Sequence, residues 1–154
     1  MIRGGAVGAM AFVVLFGYAL ARPASESLFL EAHGSAALPR AWIAVAIAIV
    51  LVVGIYNRIA ATRELRTLMF GAICASAISL FAILALHRTG AWSSFALYVW
   101  KDVHVVVLLE CLWSFANVIF STASARWSYG LFCACGSLGG ISGNLTVGLL
   151  AKTL

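Results

Sequence analysis

The feature that most constrains this chain is a set of long apolar runs that do not alternate. The run from Arg40 to Tyr56 reads RAWIAVAIAIVLVVGIY, with no charge after its first residue. Four more runs of the same character lie at about 5–21, 67–86, 92–120 and 129–151. A helix crosses the hydrocarbon core of a bilayer with about 20 mostly apolar residues, whereas a membrane strand is about half as long and alternates. The sequence therefore predicts an all-α fold, a polytopic transmembrane helix bundle of about five spanning helices. Residues 1–154 form a single transmembrane domain in this reading.

Composition closes off the soluble alternative. Apolar residues make up 64% of the chain and charged residues 10%, against about 25% charged in an ordinary soluble domain. So few charges cannot cover the surface of a folded domain of this length. In lipid every backbone N–H and C=O must be satisfied within the protein, and unbroken apolar runs do this as helices. The first run has a second reading as a signal peptide, with Arg3 before it and Ala19-Leu20-Ala21 as a cleavage-like end. The polytopic sequence that follows favours an uncleaved first span.

The net charge of +5 comes from basic residues placed between the runs, which form no extended basic face. A nucleic acid polymer is thus not an expected partner. Arg58, Arg63, Arg66 and Arg126 are read as basic residues of cytoplasmic loops. The cluster at 58–66 places the N-terminus inside and the C-terminus outside a cytoplasmic membrane of bacterial type. Residues 22–39 are expected to leave the membrane as a short interfacial piece, with Pro39 opening the second span. His87-Arg88-Thr89-Gly90 and the stretch from Ser121 to Arg126 are read as loops. The four cysteines all fall inside apolar runs without zinc spacing, and neither a metal nor a cofactor is expected.

The fourth run carries the most information. Within WKDVHVVVLLECLWSFANVIF, the residues Lys101, Asp102, His104, Glu110 and Asn117 sit in sequence that otherwise reads as membrane-buried. An ionisable group near the bilayer centre costs about 2.5–3.5 kcal/mol and should face a cavity or a partner. At about 100° per residue, Trp113 lies about 20°, Asn117 about 60° and Glu110 about 80° around the helix from Asp102. Asp102, Glu110, Trp113 and Asn117 thus form one stripe with Val106, the candidate lining of a substrate path. Lys101 and His104 point elsewhere and are read as structural or interfacial. Asp102 and His104 diverge on one helix, no catalytic motif accompanies them, and the chain is not read as an enzyme.

The fifth run contains Gly136, Gly139, Gly140 and Gly143, two overlapping G-x-x-x-G pairs read as a helix-packing face. It lacks the Gly-Lys-Ser/Thr ending of a phosphate-binding loop.

At this point a family resemblance emerges. Leu112-Trp113-Ser114-Phe115-Ala116-Asn117, followed by Arg126, Gly130 and Gly136 to Gly143, resembles the ATP/ADP translocase-like (NTP/NDP exchange) transporters, which are allied to the major facilitator superfamily. Tyr18-Ala19-Leu20-Ala21-Arg22-Pro23 is similar to the end of that family's first helix. Gly54 with Arg58, Arg63 and Arg66 is similar to the superfamily's cytoplasmic loop between helices two and three. The resemblance implies a secondary transporter that moves a small solute, a nucleotide among the candidates, by alternating access. Where nucleotide exchangers carry a second basic residue after the first helix, this chain has Ala24-Ser25-Glu26. Such transporters comprise about twelve helices in two halves. Five helices therefore imply a partial or truncated transporter that works with the missing helices or with a second copy. The alternative expectation is a non-transporting membrane subunit or degenerate paralogue that acts through helix–helix association. The bilayer itself is the remaining partner.

Overall fold

A computed structural model describes the backbone of residues 2–86, 92–120 and 122–153, and the side chains of 5–86, 92–120 and 127–152. These residues form five α-helices: α1 (Ile2–His33), α2 (Leu38–Ala60), α3 (Leu65–Ala85), α4 (Trp92–Ile119) and α5 (Thr122–Thr153). A single 3-10 turn, Ser35–Ala37, lies between α1 and α2. All five helices are long and apolar enough to cross a membrane. The chain is an all-α integral membrane protein.

Three expected boundaries are corrected. The interfacial piece at 22–39 does not form, because α1 runs on through Pro23 to His33. Proline removes one helical hydrogen bond and costs about 3 kcal/mol in a helix interior. Burial beyond it offsets that cost, since Phe29 is fully buried and Ser25 nearly so. The helix then stops at Gly34, whose φ of +72° suits glycine and whose N–H still reaches the Leu30 carbonyl at 2.9 Å. Pro39 does stand in the first turn of α2, where its missing N–H costs nothing.

The second correction concerns the loop expected up to Arg126. From Thr122 that stretch is the opening of α5, so Arg126 stands on helical backbone instead of in a loop. Its polar residues resemble a loop, but it contains no glycine or proline to break the helix. Third, the basic cluster spans the α2–α3 junction: Arg58 is in the last turn of α2, Arg63 in the short connection and Arg66 in the first turn of α3. All three are exposed. The expected turn at His87 to Gly90 lies outside the described residues.

The chain divides into two compact units, Met1–Pro23 with Leu109–Leu154, and Ala24–Leu108. In the first, α1 up to Pro23 packs with the end of α4 and with α5 around Val7, Ala11, Leu112, Ala116 and Phe132. Gly8 meets Cys135, Phe12 meets Gly139, and Phe16 and Ala19 meet Gly143. The numbers rise together, so α1 and α5 run parallel.

Glycine is required at two points of this seam, Gly139 and Gly143, where the α1 backbone stands in the way. A methyl group added at Gly139 would fall on the Phe12 backbone, 3.0 Å from its carbonyl carbon and Cα and nearer still to the oxygen. One at Gly143 would lie 2.7 Å from the Ala19 Cβ. At Gly136 the obstacle is the Leu15 side chain, at 2.8 Å. Gly140, by contrast, has nothing within 4 Å, which corrects its assignment to the packing face. The seam thus follows Gly136, Gly139 and Gly143, a spacing of three and then four residues that keeps to one side of the helix.

In the second unit the remainder of α1, α2 and the first part of α4 enclose Phe29, Ala37, Ala41 and Tyr98. α3 is mostly exposed, with Leu68 its buried residue. Large apolar side chains stand outward on α2 (Ile43, Ile47, Val50) and α3 (Phe70, Ile78, Phe81), a surface compatible with lipid.

Candidate functional site

The second unit holds a charged cluster built on α4. Lys101 is only 3% exposed, yet it lies well inside a helix of membrane-spanning length. Its ammonium Nζ donates to both carboxylate oxygens of Asp102, each at 3.0 Å. Glu26 of α1 supplies a second carboxylate at 3.7 Å. Below the ammonium lies the Tyr98 ring, with Nζ 4.3 Å from its centroid. Two carboxylates and an aromatic face thus take the place of the water that this cation gives up on burial.

Neighbouring residues fix the tyrosine that supports the lysine. Phe29 packs on the Tyr98 ring with centroids 4.6 Å apart, and Trp42 Nε1 donates to the Tyr98 hydroxyl at 3.1 Å. α1, α2 and α4 therefore all help to hold Lys101. Its buried position reverses the expectation drawn from helix angles. A lysine stem is long enough to bend its head group toward the next residue, and the Glu26 carboxylate is contributed by a helix segment that the sequence reading placed outside the bundle. Sequence carried one usable signal, the Lys-Asp pair inside an apolar run.

A second polar group lines a cleft of about 620 Å³ within the same unit. Ser76 on α3 hydrogen-bonds His104 Nδ1 on α4. Trp100 Nε1 donates to Ser79 Oγ at 2.9 Å, and Ser79 in turn donates to the Ser76 carbonyl at 2.9 Å. The Trp100 and His104 rings stack with centroids 4.6 Å apart. His104 thus ties α3 to α4.

The expected stripe is distributed differently. Asp102 joins the Lys101 cluster in the second unit, while Glu110, Trp113 and Asn117 belong to the first. Glu110 is half-buried and, among the described residues, has no hydrogen bond or ion pair. Trp113 and Asn117 are exposed and together grip Tyr129 of α5. The Trp113 ring meets Tyr129 edge-on at 5.3 Å, and the Tyr129 hydroxyl donates to Asn117 Oδ1. Tyr129 was missed because it opens an apolar run and reads there as an interfacial aromatic.

No protein-family model, curated protein or solved structure matches this chain.

Proposed function

We propose that this chain is part of a secondary membrane transporter that moves a small solute by alternating access, with Lys101, Asp102 and Glu26 as the polar centre of its path. The observation that carries the reading is an ammonium 3% exposed within a membrane-length helix and paired with two carboxylates. Polar groups inside membrane spans are costly, and they concentrate where ions or solutes pass. A charge cluster drawn from two helices can also separate when those helices move apart, which is the motion alternating access requires.

The motif resemblance to ATP/ADP translocase-like transporters supports the same class. The cluster counts two carboxylates to one ammonium, the wrong sign for a polyphosphate. Glu26 also occupies the segment where nucleotide exchangers carry a basic residue. A nucleotide is therefore the less favoured cargo. With Arg58, Arg63 and Arg66 exposed at the α2–α3 junction, the proposed orientation is N-terminus inside and C-terminus outside, in a cytoplasmic membrane of bacterial type. The parallel run of α1 and α5 agrees with an odd number of crossings. Glu110, half-buried in the first unit, is proposed separately as a functional residue.

The test is flux in proteoliposomes holding the full chain, with a labelled panel of amino acids, sugars and adenosine nucleotides as probes. One class is expected to accumulate and to exchange against its unlabelled form. Glu110→Gln should lower that flux about tenfold while the protein keeps its abundance. A chain that moves none of the probes, and whose Glu110→Gln variant instead loses abundance or assembly, would favour the non-transporting subunit.

A further inference from the structure

The cleft lined by Ser76, Ser79, Trp100 and His104 has the properties of a binding site separate from the charged cluster. Its volume of about 620 Å³ falls in the range of ligand pockets, about 300–1,000 Å³. Alanines and valines of α2, α3 and α4 form most of its wall, with Trp92 and Phe95 toward one end. Among the described residues, no lysine, arginine, aspartate or glutamate lines it. The polar groups are confined to one place, where α3 and α4 face each other.

Hydrogen-bond accounting at that place leaves one group over. Trp100 donates to Ser79, Ser79 donates to the Ser76 carbonyl, and Ser76 is joined to His104 Nδ1. The imidazole Nε2 has no partner among the described residues, although His104 borders the cleft. Whichever tautomer the Ser76 bond selects, Nε2 can meet one oxygen, as donor to a carbonyl or as acceptor from a hydroxyl. A plain acyl chain would leave that nitrogen unsatisfied in an apolar site, and a charged head group would find no counter-charge among the described residues.

We propose that this cleft binds an uncharged lipophile carrying a single hydrogen-bonding oxygen, a long-chain alcohol, with that oxygen on His104 Nε2. Such a molecule reaches the site through the bilayer, where it partitions. The alanines of α2 and α3 leave room for its apolar body, and Ser76 holds the imidazole in place for its oxygen.

The experiment uses the full chain in phosphatidylcholine nanodiscs with a diazirine-bearing long-chain alcohol as the probe. Crosslinked residues are mapped by mass spectrometry. Crosslinks should concentrate on the cleft wall, at Ala72, Ala75 and Val103. Unlabelled alcohol should compete about fivefold better than the alkane of equal length, the fold-change that one net hydrogen bond confers. His104→Leu should erase that difference while labelling persists. Ala75→Leu, which fills the cleft without touching the polar group, should reduce labelling about tenfold. Labelling spread evenly over outward residues such as Val50, Phe70 and Phe81 would overturn the proposal, since the probe would then be surrounding lipid only. Equal competition by the alkane would overturn it as well. So would an unlabelled cleft in a preparation that runs as a dimer, because the occupant would then be a second copy.

Discussion

Asp102→Ala is expected to destabilise the protein by about 3–5 kcal/mol, the cost of leaving a buried charge without its partner. Lys101 would keep a single carboxylate, Glu26 at 3.7 Å, beside the Tyr98 ring, and its own side chain is 3% exposed, so little water can replace the lost carboxylate. For a chain of this size, 3 kcal/mol corresponds to about 6–12 °C in Tm on the scale of soluble domains. Lys101→Met should cost less, because it leaves no buried cation behind and Asp102 and Glu26, at 22% and 35% exposed, are less buried than the lysine. Joining the two substitutions should then recover much of the stability lost in Asp102→Ala. Thermal unfolding of the four proteins in one detergent measures the cycle. A double variant whose losses simply add would mean that Lys101 and Asp102 are not coupled.

The α1–α5 seam predicts a sharp contrast between adjacent glycines. Gly139→Ala places its methyl group on the Phe12 backbone, which no side-chain rotation relieves, so the two helices must separate. Overpacking of this kind costs about 1–3 kcal/mol, and the upper end is expected where backbone meets backbone. Gly140→Ala meets nothing within 4 Å and exchanges glycine for a better helix former. It should be neutral or slightly stabilising. Thermal unfolding again reads the result, with Gly143→Ala grouped with Gly139→Ala. Equal behaviour at positions 139 and 140 would show that α5 presents a different face to α1.

How far the sequence was legible depended on the kind of information each feature required. Class and helix number could be read because an apolar run of spanning length has few ways to satisfy its backbone. Ends were less legible. The α1 segment from Ala24 to His33 is polar enough to resemble a membrane exit, and its helicity depends on Phe29 and Glu26 meeting residues of α4 about seventy positions away. The start of α5 at Thr122 was hidden for the opposite reason, since a run of small polar residues without a breaker is permissive to helix and loop alike. In the site, helix angles set Lys101 apart from Asp102, whereas the lysine head group bends to the Asp102 carboxylate. They failed to show which of the two was buried, because that depends on the partner helices. In the glycine run, spacing alone treats Gly139 and Gly140 alike, and only contact with α1 distinguishes them.

The proposed transport function requires a water-reachable polar path inside the bundle, beside Lys101 and Asp102. Its most direct test is thiol accessibility in proteoliposomes, in a chain whose four cysteines are replaced by alanine. Single cysteines are then placed at Val106, one turn beyond Asp102 on the same side of α4, and at Val50 and Phe81 on outward faces of α2 and α3. A charged methanethiosulfonate reagent is expected to modify Val106→Cys, faster in one solute condition than in another, and to leave Val50→Cys and Phe81→Cys unmodified. Position 106 unmodified from both sides of the membrane, or positions 50 and 81 reacting as fast as it does, would mean that no such path exists.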